Sequence, residues 1–491
     1  MQRERPNILL ITTDMQRYDT LGCYGNPAIR TPNVDRLARQ GVLFTHAFAN
    51  NPVCMPARAT LFTGKLPSAH GVQWNSGGLA RHEVTVTRRL REAGYQTAAI
   101  GKMHWGESEA DFGLEYLNVT DHGEPASPGV KNYRATLQEA GLYPPPRPQD
   151  VPGYREYYGA VTSPLPFDYH LDTFIGRATV EFLRRRDRSR PFFCWCSFFG
   201  PHLPIDPAPP WDRLYDPDDV PLPVWEEGEF DTKPPEQRAF QRNERRGNGF
   251  GDYRRITHDM AKLRRFIAFY WGKISMIDHV VGEVLRALEE TGEADRTIVV
   301  FTTDHGDFAG NHRLLFKSAF LYDDLVRIPL VITHPGWRPG QTVDALVEQI
   351  DLPVTMLSWA GLKPHPGVQG EDLSRLFASE TGAYVGAPRG WREAAYAEAV
   401  DKRMLRTREW KLVHYAGRPY GELYHLTEDP HELRNRYGDP DCRGVSEALQ
   451  RALLDRVLAM QGRLHPEIDW LELDDPLHPG DPARRVRLPF I

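Results

Sequence analysis

The segment Asn7-Ile8-Leu9-Leu10-Ile11-Thr12-Thr13-Asp14 is an apolar run that turns polar only at its end. A short continuous run of this kind reads as a parallel strand buried on both faces. Asp14 then stands at the carboxyl end of the strand, the edge of an open α/β sheet where ligands bind. Thr297-Ile298-Val299-Val300-Phe301-Thr302-Thr303-Asp304-His305-Gly306-Asp307 repeats the design, so two strand ends can face each other across one site. Further strands are expected at Thr97–Ile100, Pro191–Gly200 and Ile328–Ile332, with helical patterns between them at Thr31–Ala38, Val84–Ala93, Leu171–Arg185 and Tyr270–Leu288. The fold class is α/β.

The 491 residues suffice for a large core with a smaller second unit. A net charge of −6 without a long basic run points away from nucleic acid and from anionic membrane surfaces. A small anionic substrate would need a local basic pocket instead. Gly and Pro, 41 each, indicate many loops. The chain enters its first strand at Ile8, leaving no room for an export signal, and no apolar run reaches the length of a membrane span. Five thinly spread cysteines suit a reducing, cytoplasmic setting, and Cys194-Trp195-Cys196 reads as strand packing.

Asn51-Pro52-Val53-Cys54-Met55-Pro56-Ala57-Arg58-Ala59-Thr60-Leu61-Phe62-Thr63-Gly64 sets a cysteine four residues before an arginine, across a proline. Pro56 fixes its own φ and biases Met55 from the α region. Cys54 is therefore expected on a turn ahead of a helix, facing its positive end. Gly101-Lys102-Met103-His104-Trp105-Gly106 follows a strand; in an extended chain Lys102 and His104 project to one side, suited to hold an oxyanion and move its protons. Taken alone, Asp14 is a turn-former, Lys102 a solvated cation and His104 a hydrogen-bonded ring. Pro201-His202-Leu203-Pro204 stiffens the backbone around His202, and Lys317 by itself is a surface cation.

Together these segments resemble the type I sulfatases of the alkaline-phosphatase superfamily. The Cys-x-Pro-Ala-Arg motif at Cys54 is similar to that family's signature, whose cysteine is oxidised to formylglycine by a maturase, the hydrated aldehyde then being the nucleophile. The resemblance implies a large, mixed, mostly parallel sheet sandwiched by helices and a smaller C-terminal α+β part. It implies one divalent cation, Ca²⁺ before Mn²⁺, held by Asp14, Asp304, His305 and the modified Cys54. Arg58 would stabilise the ionised hydroxyl that attacks sulfur. Lys102, His202 and Lys317 would neutralise the sulfuryl oxygens and leaving group, and His104 would take the proton that lets sulfate depart. The family often carries a second aspartate where this chain has Met15, which removes one oxygen ligand. Phosphonate monoester or phosphodiester hydrolysis at the same site is the alternative reading, and a non-catalytic anion-binding protein with unmodified Cys54 is a remoter one.

The resemblance extends through Val347–Gly361, expected as the helix closing the main unit, to short strands at Trp410–Tyr415 and Glu422–Leu426 and a helix at about Val445–Met460. The expected division is 1–380 catalytic, 381–464 a small antiparallel sheet with its helix, and 465–491 an extended tail suited to contact another subunit in a homo-oligomer. Asp111–Leu165 is expected as loops over the site mouth, and the charged, Gly-containing Val224–Tyr253 as an exposed insertion or a flexible lid.

Overall fold

A computed structural model describes residues 5–106, 112–121, 126–242, 254–462, 470–473 and 486–489. Strands β1 (Asn7–Asp14), β2 (Val42–Phe48), β3 (Gln96–Gly101), β4 (Tyr116–Val119), β5 (Phe192–Pro201), β6 (Thr297–Thr303), β7 (Arg327–Thr333), β8 (Gln341–Val343) and β9 (Val347–Glu348) form one sheet. Its order is β4-β3-β5-β1-β6-β7-β2-β8, with β9 also paired to β2. Among these described strands, only β7 runs against the rest.

Both faces of the sheet are buried, and the pleat divides its side chains between two cores. Ile8, Leu10, Trp195, Ile298 and Val300 point to one side, with the helices Cys54–Thr63 and Asp351–Trp359. Leu9, Ile11, Cys194, Cys196, Val299 and Phe301 point to the other, with the helices Leu171–Arg185 and Met260–Glu290. This alternation is why the parallel strands are apolar without a break. Cys194 and Cys196 are wholly buried in that packing.

A second, antiparallel sheet follows: β10 (Ala395–Ala399), β11 (Lys402–Arg406), β12 (Trp410–Tyr415) and β13 (Gly421–His425) in sequence order. The helix Arg443–Gly462 lies on one of its faces through Leu449, Leu453 and Met460. Its other face shares a core with Phe48, Leu321, Val326 and Leu346 of the main body. β14 (Trp470–Leu473) and β15 (Val486–Pro489) form a separate antiparallel pair, while the rest of the tail expected at 465–491 lies outside the described residues. No described helix is long and apolar enough to cross a membrane.

Three local expectations differ from what forms. The helix expected over Val347–Gly361 begins only at Asp351, because Val347 and Glu348 are taken by β2 as a short strand. The Asp111–Leu165 stretch holds β4 and the helix Tyr133–Glu139, elements too short to leave a period in the sequence. Within Val224–Tyr253, residues 243–253 lie outside the described residues, but Phe230, Lys233 and Gln237 are buried rather than exposed. The charges there pair inward: Glu229 lies 3.5 Å from His312 Nδ1, which lies 3.3 Å from Lys233 Nζ.

Candidate active site

Register assembles the site. β1 pairs in parallel with β6 from Asn7↔Thr297 to Thr13↔Thr303, which brings Asp14 and Asp304 side by side at the carboxyl edge. β5 flanks β1 on the other side and delivers His202 directly after its last residue, Pro201. β3 lies beyond β5 and delivers Lys102. The turn between β3 and Lys102 requires Gly101: its φ is +96°, and a Cβ there would lie 2.0 Å from the Ser197 carbonyl oxygen.

The helix Cys54–Thr63 brings the sulfur to this edge. It begins at Cys54 itself, one position earlier than a preceding turn would allow, because the first helical residues need no intrahelical N–H bond and Pro56 has none to lose. Asn51 accepts the Val53 N–H at 2.9 Å and Asn75 accepts the Met55 N–H at 3.0 Å, satisfying two free donors at the helix entry. Gly64, left-handed at φ +68°, closes the other end. Arg58, one turn after Cys54, therefore shares its face of the helix.

Arg58 is fully buried and every contact it makes is to a fixed acceptor. Its Nε donates to Asp304 at 2.8 Å, one terminal nitrogen to Asp14 at 3.1 Å, and the other to the Lys102 carbonyl at 2.6 Å and Ser197 Oγ at 2.8 Å. Lys102 Nζ lies 2.7 Å from Asp14. The Cys54 sulfur is 3.7 Å from Asp14 Oδ1 and 3.2 Å from His305 Nε2, and it also accepts contacts from His104, His202 and Lys317. The nine residues singled out from sequence are thus in one place. His104 reaches it by a left-handed backbone, φ +55°, rather than by the extended chain expected. Asp121 holds that backbone, accepting the Met103 and His104 N–H groups at 3.2 and 2.8 Å.

The electrostatics follow from burial among cations. Burial alone would raise the Cys54 thiol, but Lys317, Lys102 and His305 hold it well below its usual range. Burial and Cys54 push Asp14 up, yet Lys102 and Lys317 leave it far below the ordinary carboxylate range. Burial, then Lys317 and Lys102, lower His202 to about 4, so its ring is neutral. Its Nδ1–H donates to the Leu203 carbonyl at 2.9 Å, which leaves Nε2 facing Cys54.

The donor set fits a single metal ion. Ligand atoms of Asp14, Cys54, Asp304 and His305 all lie within 4.8 Å of one another and are buried. His305 donates Nδ1–H to the Gly306 carbonyl at 2.8 Å, so Nε2 is the ring nitrogen that faces the cluster, the one a metal-binding imidazole offers once its proton is displaced. Asp304 is raised by burial and then by repulsion from Asp14, a repulsion that a cation between them would relieve. Met15, next to Asp14, borders the site: its N–H donates to Asp304 Oδ1 at 3.2 Å, and its sulfur lies 3.6 Å from Lys317 Nζ. Sequence reasoning passed over Ser197, Asp121 and Gln349, whose Nε2 donates to the Thr303 and Asp304 carbonyls. For Ser197 there was a signal, the single hydroxyl inside the aromatic run Phe192–Gly200.

A mostly parallel sheet carrying paired carboxylates, a helix-borne cysteine and flanking cations at its carboxyl edge has the architecture of an ester hydrolase of the alkaline-phosphatase fold. The Sulfatase family profile matches residues 6–362, and that of the N-sulphoglucosamine sulphohydrolase C-terminal region matches 310–458; the chain belongs to the sulfatase family. An arylsulfatase of Clostridium perfringens is 29% identical over 92% of this chain and 94% of its own length. A multifunctional alkaline phosphatase superfamily protein, PehA, of Trinickia caryophylli is 29% identical over 91% and 95%. Among solved structures, the phosphonate monoester hydrolase of Agrobacterium radiobacter superposes with a TM-score of 0.79 at 27% identity, covering 93% of this chain and 96% of that one.

Proposed function

We propose that the protein hydrolyses a sulfate monoester, with Cys54 matured to formylglycine and one divalent cation, Ca²⁺ or Mn²⁺, held by Asp14, Asp304, His305 and residue 54. The observation that carries this is the convergence of Arg58, Lys102, His104, His202 and Lys317 on the Cys54 sulfur and its two carboxylates. The cation would supply Lewis acidity, favouring an ionised oxygen on residue 54 at neutral pH. Arg58 holds the two carboxylates at a fixed separation. Lys102 and Lys317 place two positive charges where the non-bridging oxygens of a tetrahedral anion would sit. His202, neutral with Nε2 toward residue 54, would take up the proton that the attacking hydroxyl loses and pass it to the departing ester oxygen, and His104 would take the proton of the second hydroxyl. A hydrated aldehyde suits this arrangement better than serine: loss of the proton from its second hydroxyl lets the sulfated hemiacetal collapse, forming C=O, breaking the carbon–oxygen bond to the sulfate and releasing it without a water attack on sulfur.

A second reading, hydrolysis of phosphonate monoesters or phosphodiesters, is favoured by the likeness to the Agrobacterium hydrolase. Both substrates offer a tetrahedral anion with one ester leaving group. Purified protein assayed against aryl and alkyl sulfates beside phosphonate monoesters and phosphodiesters, before and after chelation, separates them. The expected result is sulfate-ester turnover that is lost with the cation and restored by it, with the peptide containing Cys54 lacking its sulfur by mass spectrometry. Full activity with an intact thiol would sink the formylglycine reading, and faster phosphonate or diester turnover would install the second.

A further inference from the structure

The loop bearing His202 rests on a buried charge cluster that none of the chemistry above uses. Lys273, inside the helix Met260–Glu290, is 2% exposed. Its Nζ donates to the Pro204 carbonyl at 2.7 Å and to Asp206 Oδ1 at 2.6 Å, and lies 3.8 Å from Asp172 Oδ2. Asp172 Oδ1 in turn accepts the N–H groups of Phe199 and Gly200 at 2.8 and 3.0 Å. One ammonium and two carboxylates therefore grip the chain on both sides of His202, at 199–200 and at 204–206. His170 completes the cluster, with Nε2 3.5 Å from Asp206 and Nδ1 accepting the Asp172 N–H.

A lysine buried in a core helix is costly unless its site is built for it. Here the fit extends to the backbone: a Cβ at Gly200 would lie 2.5 Å from Lys273 Cε and 2.9 Å from Asp172 Oδ2. The Pro204 carbonyl held by Lys273 follows directly on Leu203, whose own carbonyl fixes the His202 ring through Nδ1. The outer edge of the loop is secured separately, with Ile205 exchanging backbone bonds with Gly159 and Val161. Loss of the inner grip would therefore free the ring without releasing the whole loop.

We infer that Lys273 is a positioning residue for His202: it sets the imidazole against the leaving-group oxygen through the Pro204 carbonyl, Asp206 and Asp172. This deepens the ester-hydrolase reading and rests on it. The test is Lys273→Met, with Lys273→Met/Asp206→Asn as the variant that restores the charge balance, each first checked for cooperative thermal unfolding. Two esters that the wild type hydrolyses, sharing one acid and differing in the acidity of the alcohol, are then compared. The expected result is a fall in kcat/KM of about 10²-fold for the poorer leaving group, the scale of an ångström misplacement, and a far smaller fall for the better one. Nitrogen-15 spectra of labelled histidine, with His202 assigned through His202→Gln, should show the protein losing its single Nδ1–H tautomer in the folded variant. Equal losses on both esters, or an unchanged His202 signal in the folded variant, would overturn the inference. A wild type that hydrolyses no ester refutes the ester-hydrolase reading instead, and the spectra still decide the position of the ring.

Discussion

Arg58 shows how one side chain can be structural and chemical at once. Its guanidinium fills four acceptors that surround Cys54, so it cannot turn toward an incoming anion without abandoning Asp14 and Asp304. Replacing it by methionine leaves two buried carboxylates short of a partner, a change that costs about 3–5 kcal/mol. Urea unfolding of Arg58→Met should register that loss in chelated protein and a smaller one in cation-loaded protein, because the cation takes over part of the compensation. Equal losses in the two states would mean that the carboxylates do not bind the cation. Site residues of this kind were legible in the sequence because their types are unusual beside apolar strands. Ser197, Asp121 and Gln349 were not, since each is an ordinary polar residue until distant pairing brings a carbonyl, an amide or a guanidinium to it.

Among the elements, the helix that carries Cys54 depends on a buried histidine beneath it. His70 Nδ1 accepts the Val72 N–H at 3.2 Å, so Nε2 bears the proton, directed at Thr60 Oγ1 and the Pro56 carbonyl. Burial lowers its pKa from 6.5 to about 3. The unfolded chain therefore binds a proton that the folded one refuses. The stability this contributes is complete above pH 6.5 and drains away as pH falls toward 3, at about 1.4 kcal/mol per unit. His202 and His365, both lowered to about 4 mainly by burial, act in the same direction. His70→Gln, which keeps the donor, should flatten the acid limb of unfolding free energy against pH by about one proton; an unchanged slope would contradict the neutral ring. The strands themselves were readable because a strand buried on both faces leaves an apolar run. The boundary at Val347 was not, since whether those two residues join a helix or a strand is settled by β2, some 300 positions away.

At the scale of the molecule, the two sheets are joined by charge as well as by apolar packing. Lys411 of β12, with a wholly buried side chain, lies 2.8 Å from Asp323 and 2.6 Å from Glu432. Asp323 opens the short helix Asp323–Val326, just beyond Lys317, so the small sheet braces the segment that delivers a site cation. Lys411→Met should lower stability by about 3–5 kcal/mol and reduce turnover with it, while calorimetry still records one transition. Two separated transitions would show instead that the sheets unfold independently. Cys54 is 0% exposed, enclosed by residues whose positions run from Asp14 to Lys317. A thiol sealed in this way is out of reach of another enzyme's catalytic groups once the chain has closed. If residue 54 is oxidised as proposed, that step has to come before the chain closes, and protein folded with an intact thiol should stay inert however much oxidising enzyme is added afterwards.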